Sequence, residues 1–157
     1  MVVESGTKCQ KVVNLMFMGE YAHQLDNKGR LIIPAKFREV LGEKMVINRG
    51  LDGCLNVYSL LAWETILGQL RQLPTTKKEA RMYMHMMTAK AAIVEVDNAG
   101  RVLLPSSLIQ EAGLTKACMI VGVVDHCEIW SEDRWNAYYN KASESFEAIA
   151  ESLTDFL

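Results

Sequence analysis

The sequence predicts an α+β fold, mainly β, in which two tandem copies of one small unit close into a single barrel about a pseudo-two-fold axis, with helices at its flanks. Three observations lead there: a duplication, a strand–turn–strand–proline–helix pattern shared by both copies, and the small size of the repeated unit. Asp26-Asn27-Lys28-Gly29-Arg30-Leu31-Ile32-Ile33-Pro34 recurs as Asp97-Asn98-Ala99-Gly100-Arg101-Val102-Leu103-Leu104-Pro105, an offset of 71 residues. The same offset carries Gly42 onto Gly113. After one further residue Val57-Tyr58-Ser59 meets Ile129-Trp130-Ser131, and Trp63 meets Trp135. A unit of four short strands and one small helix cannot cover its own sheet edges and apolar face. Two such units are therefore expected to make one domain.

Each element follows from local chemistry. Residues 20–25 and 92–96 read as short strands. Residues 27–29 form a three-residue loop in which Gly29 takes the left-handed conformation such loops need, and Gly100 does the same in the second copy. Residues 30–33, apolar and β-branched, return as a strand. Pro34 then ends the pairing, having no N–H for a ladder, and opens a helix over 35–41 that Gly42 caps. In the second copy Ser107 with Gln110 offers a capping box ahead of Gly113. Residues 45–48, 55–58 and 119–124 are further strands. Ser59 and Ser131 are N-caps of longer helices, the first carrying Trp63, Ile66, Leu67, Leu70 and Leu73 as an apolar stripe. Thr76 with Glu79 is a second capping box, opening a helix through Met82, Met86 and Met87. The chain thus divides into a disordered extension or upstream start (1–15), a first repeat (16–73), a linker helix (74–90), a second repeat (91–140) and an acidic C-terminal helix (141–157).

Composition narrows the function. No apolar run approaches the 18 residues of a membrane span, and the first fifteen residues lack the continuous apolar core of a secretory signal, so a cytoplasmic protein is expected. The four cysteines form no C-x-x-C pair and are expected to be reduced. The net charge of −2 hides an asymmetry. Between Asp26 and Arg49 stand six basic residues (Lys28, Arg30, Lys36, Arg38, Lys44, Arg49) against three acidic ones (Asp26, Glu39, Glu43), whereas residues 125–157 hold two basic and eight acidic. The front of the chain suits a polyanion. No nucleophile-elbow, P-loop or dinucleotide fingerprint is present, so no enzyme and no cofactor is expected. His126-Cys127 beside Asp125 invites a zinc reading, but Cys118 is nine residues away and no second ligand pair exists, so no metal is expected either.

The string from Asp26 to Gly42, D-N-K-G-R-L-I-I-P-A-K-F-R-E-V-L-G, resembles the swapped-hairpin DNA-binding unit of AbrB-type (SpoVT-AbrB) regulators. Two copies in one chain, each with D-x-x-x-R, resemble the MraZ family specifically. So do Met16-Phe17-Met18-Gly19-Glu20-Tyr21, the segment from Asn48 to Leu55, and Asp125-His126-Cys127-Glu128-Ile129-Trp130-Ser131. The resemblance covers about Met16 to the C-terminus. Chains of that kind start near Met16 or Met18, which is why residues 1–15 are given no function. The resemblance implies a double-split β-barrel and a homo-oligomeric ring. It further implies a nucleoid-associated transcriptional regulator that binds short direct repeats in the promoter of its own operon, at the head of the division and cell-wall gene cluster.

Under that resemblance the paired motifs acquire roles. Asp26 accepts turn N–H groups and fixes the loop, and Asp97 does so in the second copy. Arg30 then projects from a rigid element, its planar fork suited to phosphate or, bidentately, to guanine. Lys28 at the loop tip adds a phosphate contact, and Lys36 and Arg38 extend the basic surface. Arg101 is the counterpart of Arg30. Ala99, Ser107 and Ile109 stand where copy one has Lys28, Lys36 and Arg38, so copy one is expected to dominate DNA contact. The plain alternative is that Asp26–Arg30 is a local ion pair worth about 0–1 kcal/mol. Trp63, Trp135 and the Met82/Met86/Met87 face are either subunit contacts or plain core. The rival functions are an AbrB-like antitoxin, which needs a flexible C-terminal arm, and a protein-interaction scaffold. The apolar side of the C-terminal helix (Phe146, Ile149, Leu153) is expected to pack, which disfavours the arm.

Overall fold

The computed structural model describes residues 17–157; the extension expected over residues 1–15 lies outside them. The first copy runs β1 (Glu20–Gln24), β2 (Arg30–Ile32), α1 (Ala35–Leu41), β3 (Lys44–Arg49), β4 (Leu55–Ser59) and α2 (Leu60–Arg71). After α3 (Lys78–Thr88) the second copy repeats the order as β5 (Ala92–Glu95), β6 (Arg101–Leu103), α4 (Ser106–Glu111), β7 (Ala117–Val123), β8 (His126–Ser131) and α5 (Glu132–Glu144). The chain ends in α6 (Phe146–Ser152) and a 3-10 turn, Thr154–Phe156.

The strands pair antiparallel in a six-stranded sheet of order β1-β7-β8-β4-β3-β5 and a two-stranded ribbon, β2-β6. Exchanging the copies leaves this order unchanged, so a pseudo-two-fold axis passes between β4 and β8 and between β2 and β6. The exchange is physical. β1 does not pair with β2 beyond the turn that joins them; it pairs with β7, Tyr21 opposite Ile120, while β5 pairs with β3, Val94 opposite Met45. Each copy thus supplies the other's edge strand, which satisfies the backbone groups a lone copy would leave open. Among the described residues the ladders leave the sheet and the ribbon separate, and no pairing closes a barrel.

Period-two alternation sorts the side chains. Leu31 and Ile33 of the first copy and Val102 and Leu104 of the second point inward from the ribbon. They meet Phe37, Leu41 and Leu108 from α1 and α4, and Met45, Ile47, Leu55, Val57, Ile120 and Ile129 from one face of the sheet. The opposite sheet face is covered by helices: Asn48 donates to the Met87 carbonyl of α3 (3.1 Å), Tyr58 packs tilted against Trp63 of α2, and Trp130 meets Trp135 and Tyr138 of α5.

Helix ends follow the caps in part. Ser59 Oγ accepts from Ala62 N (3.1 Å) and Ser131 Oγ from Arg134 N (3.2 Å), opening α2 and α5. Gly42, at φ +86°, donates to Arg38 O and closes α1. Neither capping box forms. α4 begins directly after Pro105, whose carbonyl accepts from Leu108 and Ile109, so Ser107 already lies inside the helix. α3 begins at Lys78, leaving Thr76 in the preceding turn. The C-terminal helix is two helices, broken at Ser145, and Phe146, Ile149 and Leu153 are exposed rather than packed. Of the methionine face only Met87 is buried; Met82 and Met86 are exposed.

Candidate nucleic-acid interface

Both D-x-x-x-R motifs fold into the same turn. Asp26 N donates to Arg30 O (3.0 Å) and Gly29 N to Asp26 O (3.0 Å); Asp97, Gly100 and Arg101 repeat the pattern at 2.8 and 3.0 Å. Gly29 and Gly100 sit at φ +83° and +80°, where a β-carbon would crowd the following carbonyl. One carboxylate oxygen of each aspartate accepts two turn N–H groups: Lys28 and Arg30 on Asp26 (3.0 and 2.8 Å), Ala99 and Arg101 on Asp97 (both 2.9 Å). The other oxygen takes the arginine Nε, at 2.7 Å in copy one and 2.9 Å in copy two. The backbone N–H of the arginine, then its guanidinium, hold both carboxyls below the ordinary aspartate range.

The consequence for the arginines is directional. With Nε fixed on Asp26, the two terminal amines of Arg30 form no hydrogen bond among the described residues. Arg101 is held likewise, one terminal amine lying 4.0 Å from the Asp26 carboxylate. That contact joins the two motifs across the ribbon, where Arg30 stands opposite Leu103 and Ile32 opposite Arg101. Both guanidiniums are about one-third exposed, neither turned into the core nor fully enclosed by carboxylate. The ion pairs themselves contribute little to stability at such exposure; they aim the fork. An end-on guanidinium fork matches phosphate oxygens or the acceptor pair of guanine.

The remaining basic residues divide. Lys28 at the turn tip and Lys36 on α1 are exposed. Arg38 is half-buried: its Nε donates to Ile33 O (2.9 Å), and its guanidinium lies against Gly100 of the other copy, within 2.8 Å of where a β-carbon would stand. The related position in copy two is Ile109, which packs on Gly29 in the same way. Arg38 therefore ties the first helix to the second turn. Sequence reasoning put Arg38 on the surface because helical spacing alone does not reveal the neighbouring copy. It also passed over Ile32 and Leu103, the outward neighbours of the arginines, which alternation with buried Leu31 and Val102 marks in both copies.

His126 is taken by protein partners, Nδ1 by Asp125 (2.8 Å) and Nε2 by Glu128 (3.3 Å), and among the described residues no His, Cys, Asp or Glu group is arranged to hold a metal. No described helix is long and apolar enough to cross a membrane. A family model described as "MraZ protein, putative antitoxin-like" matches the chain twice, over residues 16–85 and 87–157. Each match contains one Asp–Arg turn and one set of four strands, and together they span nearly all of the sequence, so the chain belongs to the MraZ family.

Proposed function

We propose that this chain is a sequence-specific DNA-binding transcriptional regulator, nucleoid-associated, acting on direct repeats in the promoter of its own division and cell-wall operon. One observation carries the reading: two matching aspartate-braced turns meet on one ribbon, each with a part-exposed guanidinium, Arg30 with both terminal amines outside any hydrogen bond and Arg101 with one of them 4.0 Å from the Asp26 carboxylate. Arg30 and Arg101 make the base or phosphate contacts, Lys28 and Lys36 add phosphate contacts, and Arg38 supports the second turn while contributing charge. Asp26, Gly29, Asp97 and Gly100 hold the turns. We read the sheet and ribbon, packed across one core, as the two parts of a double-split barrel formed by repeats 16–73 and 91–140. The linker helix over 74–90 and the C-terminal residues 141–157 serve assembly, and no catalytic role is assigned.

One protomer offers few phosphate contacts, so its binding is weak and falls steeply with salt. A homo-oligomeric ring engaging several repeats at once gains affinity through effective concentration. Gel-shift titration with the DNA upstream of the chain's own gene tests this. Arg30→Ala should weaken binding about tenfold or more, the worth of one bidentate contact, with an unchanged circular dichroism spectrum. Unchanged affinity would remove Arg30 from the interface.

A second reading, an antitoxin, is favoured by the family's description and by the uncovered apolar side of α6. It predicts that a chain ending at Glu144 keeps its DNA affinity but no longer neutralises a toxin partner. A protein-interaction scaffold has no such observation behind it.

A further inference from the structure

Resting on the DNA-binding reading above, we infer that Ile32 and Leu103 read the 5-methyl groups of thymine in the major groove, beside the base contacts of Arg30 and Arg101. Outward positions of a half-buried strand are ordinarily polar. Here both copies place an apolar side chain outward at the same repeat position, 38% exposed at Ile32 and 58% at Leu103, while Leu31 and Val102 between them are fully buried. The core does not require these two residues; it is already filled from the other face.

Register gives them neighbours. Leu103 is directly opposite Arg30 and Ile32 directly opposite Arg101, which places Cβ atoms about 5 Å apart. The outer face of the ribbon is therefore a two-by-two lattice in which each guanidinium has an apolar side chain beside it. A two-stranded ribbon fits the major groove, and the thymine methyl is the apolar group that groove displays; the minor groove displays none. A fork on guanine with an apolar neighbour on the adjacent base pair is the pattern such a lattice selects. Sequence preference then comes from alternating guanine and thymine rather than from charge alone.

Fluorescence anisotropy with two duplexes tests the assignment: the region upstream of the chain's own gene, synthesised with thymine or with deoxyuridine throughout. Wild type should lose about four-fold in affinity per methyl contacted on the deoxyuridine duplex, the transfer free energy of one CH2 expressed as a ratio. The variant Ile32→Ser/Leu103→Ser should bind both duplexes alike, and Ile32→Val/Leu103→Val should keep the preference. Equal wild-type affinity for the two duplexes, or a preference that survives in the serine variant, overturns the inference and leaves DNA binding standing. Should the serine variant misfold, Ile32→Ala/Leu103→Ala takes its place and should weaken the preference; an undiminished preference there overturns the inference equally. Wild type that binds neither duplex removes the DNA-binding reading itself, and this one with it.

Discussion

Each turn arginine spends one donor, Nε, on the aspartate four residues before it, and that bond orients the rest of the guanidinium. Arg38 spends the same donor on the Ile33 carbonyl and lays its planar group on Gly100, so an arginine of identical chemistry serves packing instead of display. Glycine is required at position 100 on two counts, the left-handed φ and the guanidinium pressed against it. Gly42 has the first count only: its φ is +86° and nothing lies within 4 Å of a β-carbon there. Gly42→Ala should therefore cost about 1–3 kcal/mol, the cost of holding a side chain at φ +86° and ψ −173°, a region left almost entirely to glycine. Gly100→Ala should cost less in an Arg38→Ala background than in the wild-type one. Urea denaturation of wild type, Gly100→Ala, Arg38→Ala and the double variant checks this; equal losses from Gly100→Ala in the two backgrounds would mean that Arg38 swings aside freely. The Asp–Arg braces were legible from spacing. The Arg38–Gly100 contact was not, because its partners are 62 residues apart and belong to different copies.

At the level of elements, the seam between β4 and β8 joins the two copies within the sheet and carries a half-buried polar cluster. The His126 ring lies tilted against Tyr58 of β4 (5.0 Å between centroids) and bonds Asp125 and Glu128, and Glu128 also accepts from Trp130 Nε1 (2.9 Å). Burial disfavours the charged imidazole, but the hydrogen bonds it donates to Glu128 and Asp125 outweigh it and raise the His126 pKa above the ordinary histidine value. Burial likewise disfavours the Glu128 carboxylate, and the bonds from His126 and Trp130 outweigh it and lower its pKa. Tyr58, buried at the same place, is pushed up to about 12 and stays neutral. A raised histidine pKa stabilises fully below the unfolded value of about 6.5 and is lost as pH rises through the folded one; the lowered glutamate pKa adds stability lost only in acid. Unfolding free energy should fall as pH rises through neutrality, and His126→Gln should remove that slope. A slope that persists in the variant would place its origin elsewhere. Caps show a similar division: the two serines that lead α2 and α5 cap as their positions predict, whereas both capping boxes lost to a helix start displaced by proline or by the linker turn.

For the molecule as a whole, exchange of edge strands makes the copies interdependent. β1 lacks a partner without β7, β2 without β6, and β5 without β3. The core is equally shared, since Leu31 and Ile33 pack with Val102 and Leu104 on one side of the ribbon. A fragment ending at Leu73 should therefore show no cooperative unfolding as a monomer, by circular dichroism alongside size-exclusion with light scattering. A folded, monomeric first repeat would contradict the exchange. Exposed apolar side chains stand on α3 (Met82, Met86), on α6 (Phe146) and in the 3-10 turn (Phe156).

Read alone, the residues give the duplication, the strand–turn–strand–proline–helix order of each copy and the turn chemistry; the alternation that sorts strand faces is present in them but was passed over at Ile32 and Leu103. All of these are local: an offset of 71, a glycine at a left-handed position, a two-residue alternation, a carboxylate four residues from an arginine. Packing in three dimensions settles that β1 and β5 cross to the other copy, that the strands divide into an open sheet and a separate ribbon, and that both Asp–Arg turns meet on that ribbon. Those outcomes depend on which backbone edges find partners and which apolar faces meet. Pairing between segments some 45 to 100 residues apart leaves no periodic trace in either one.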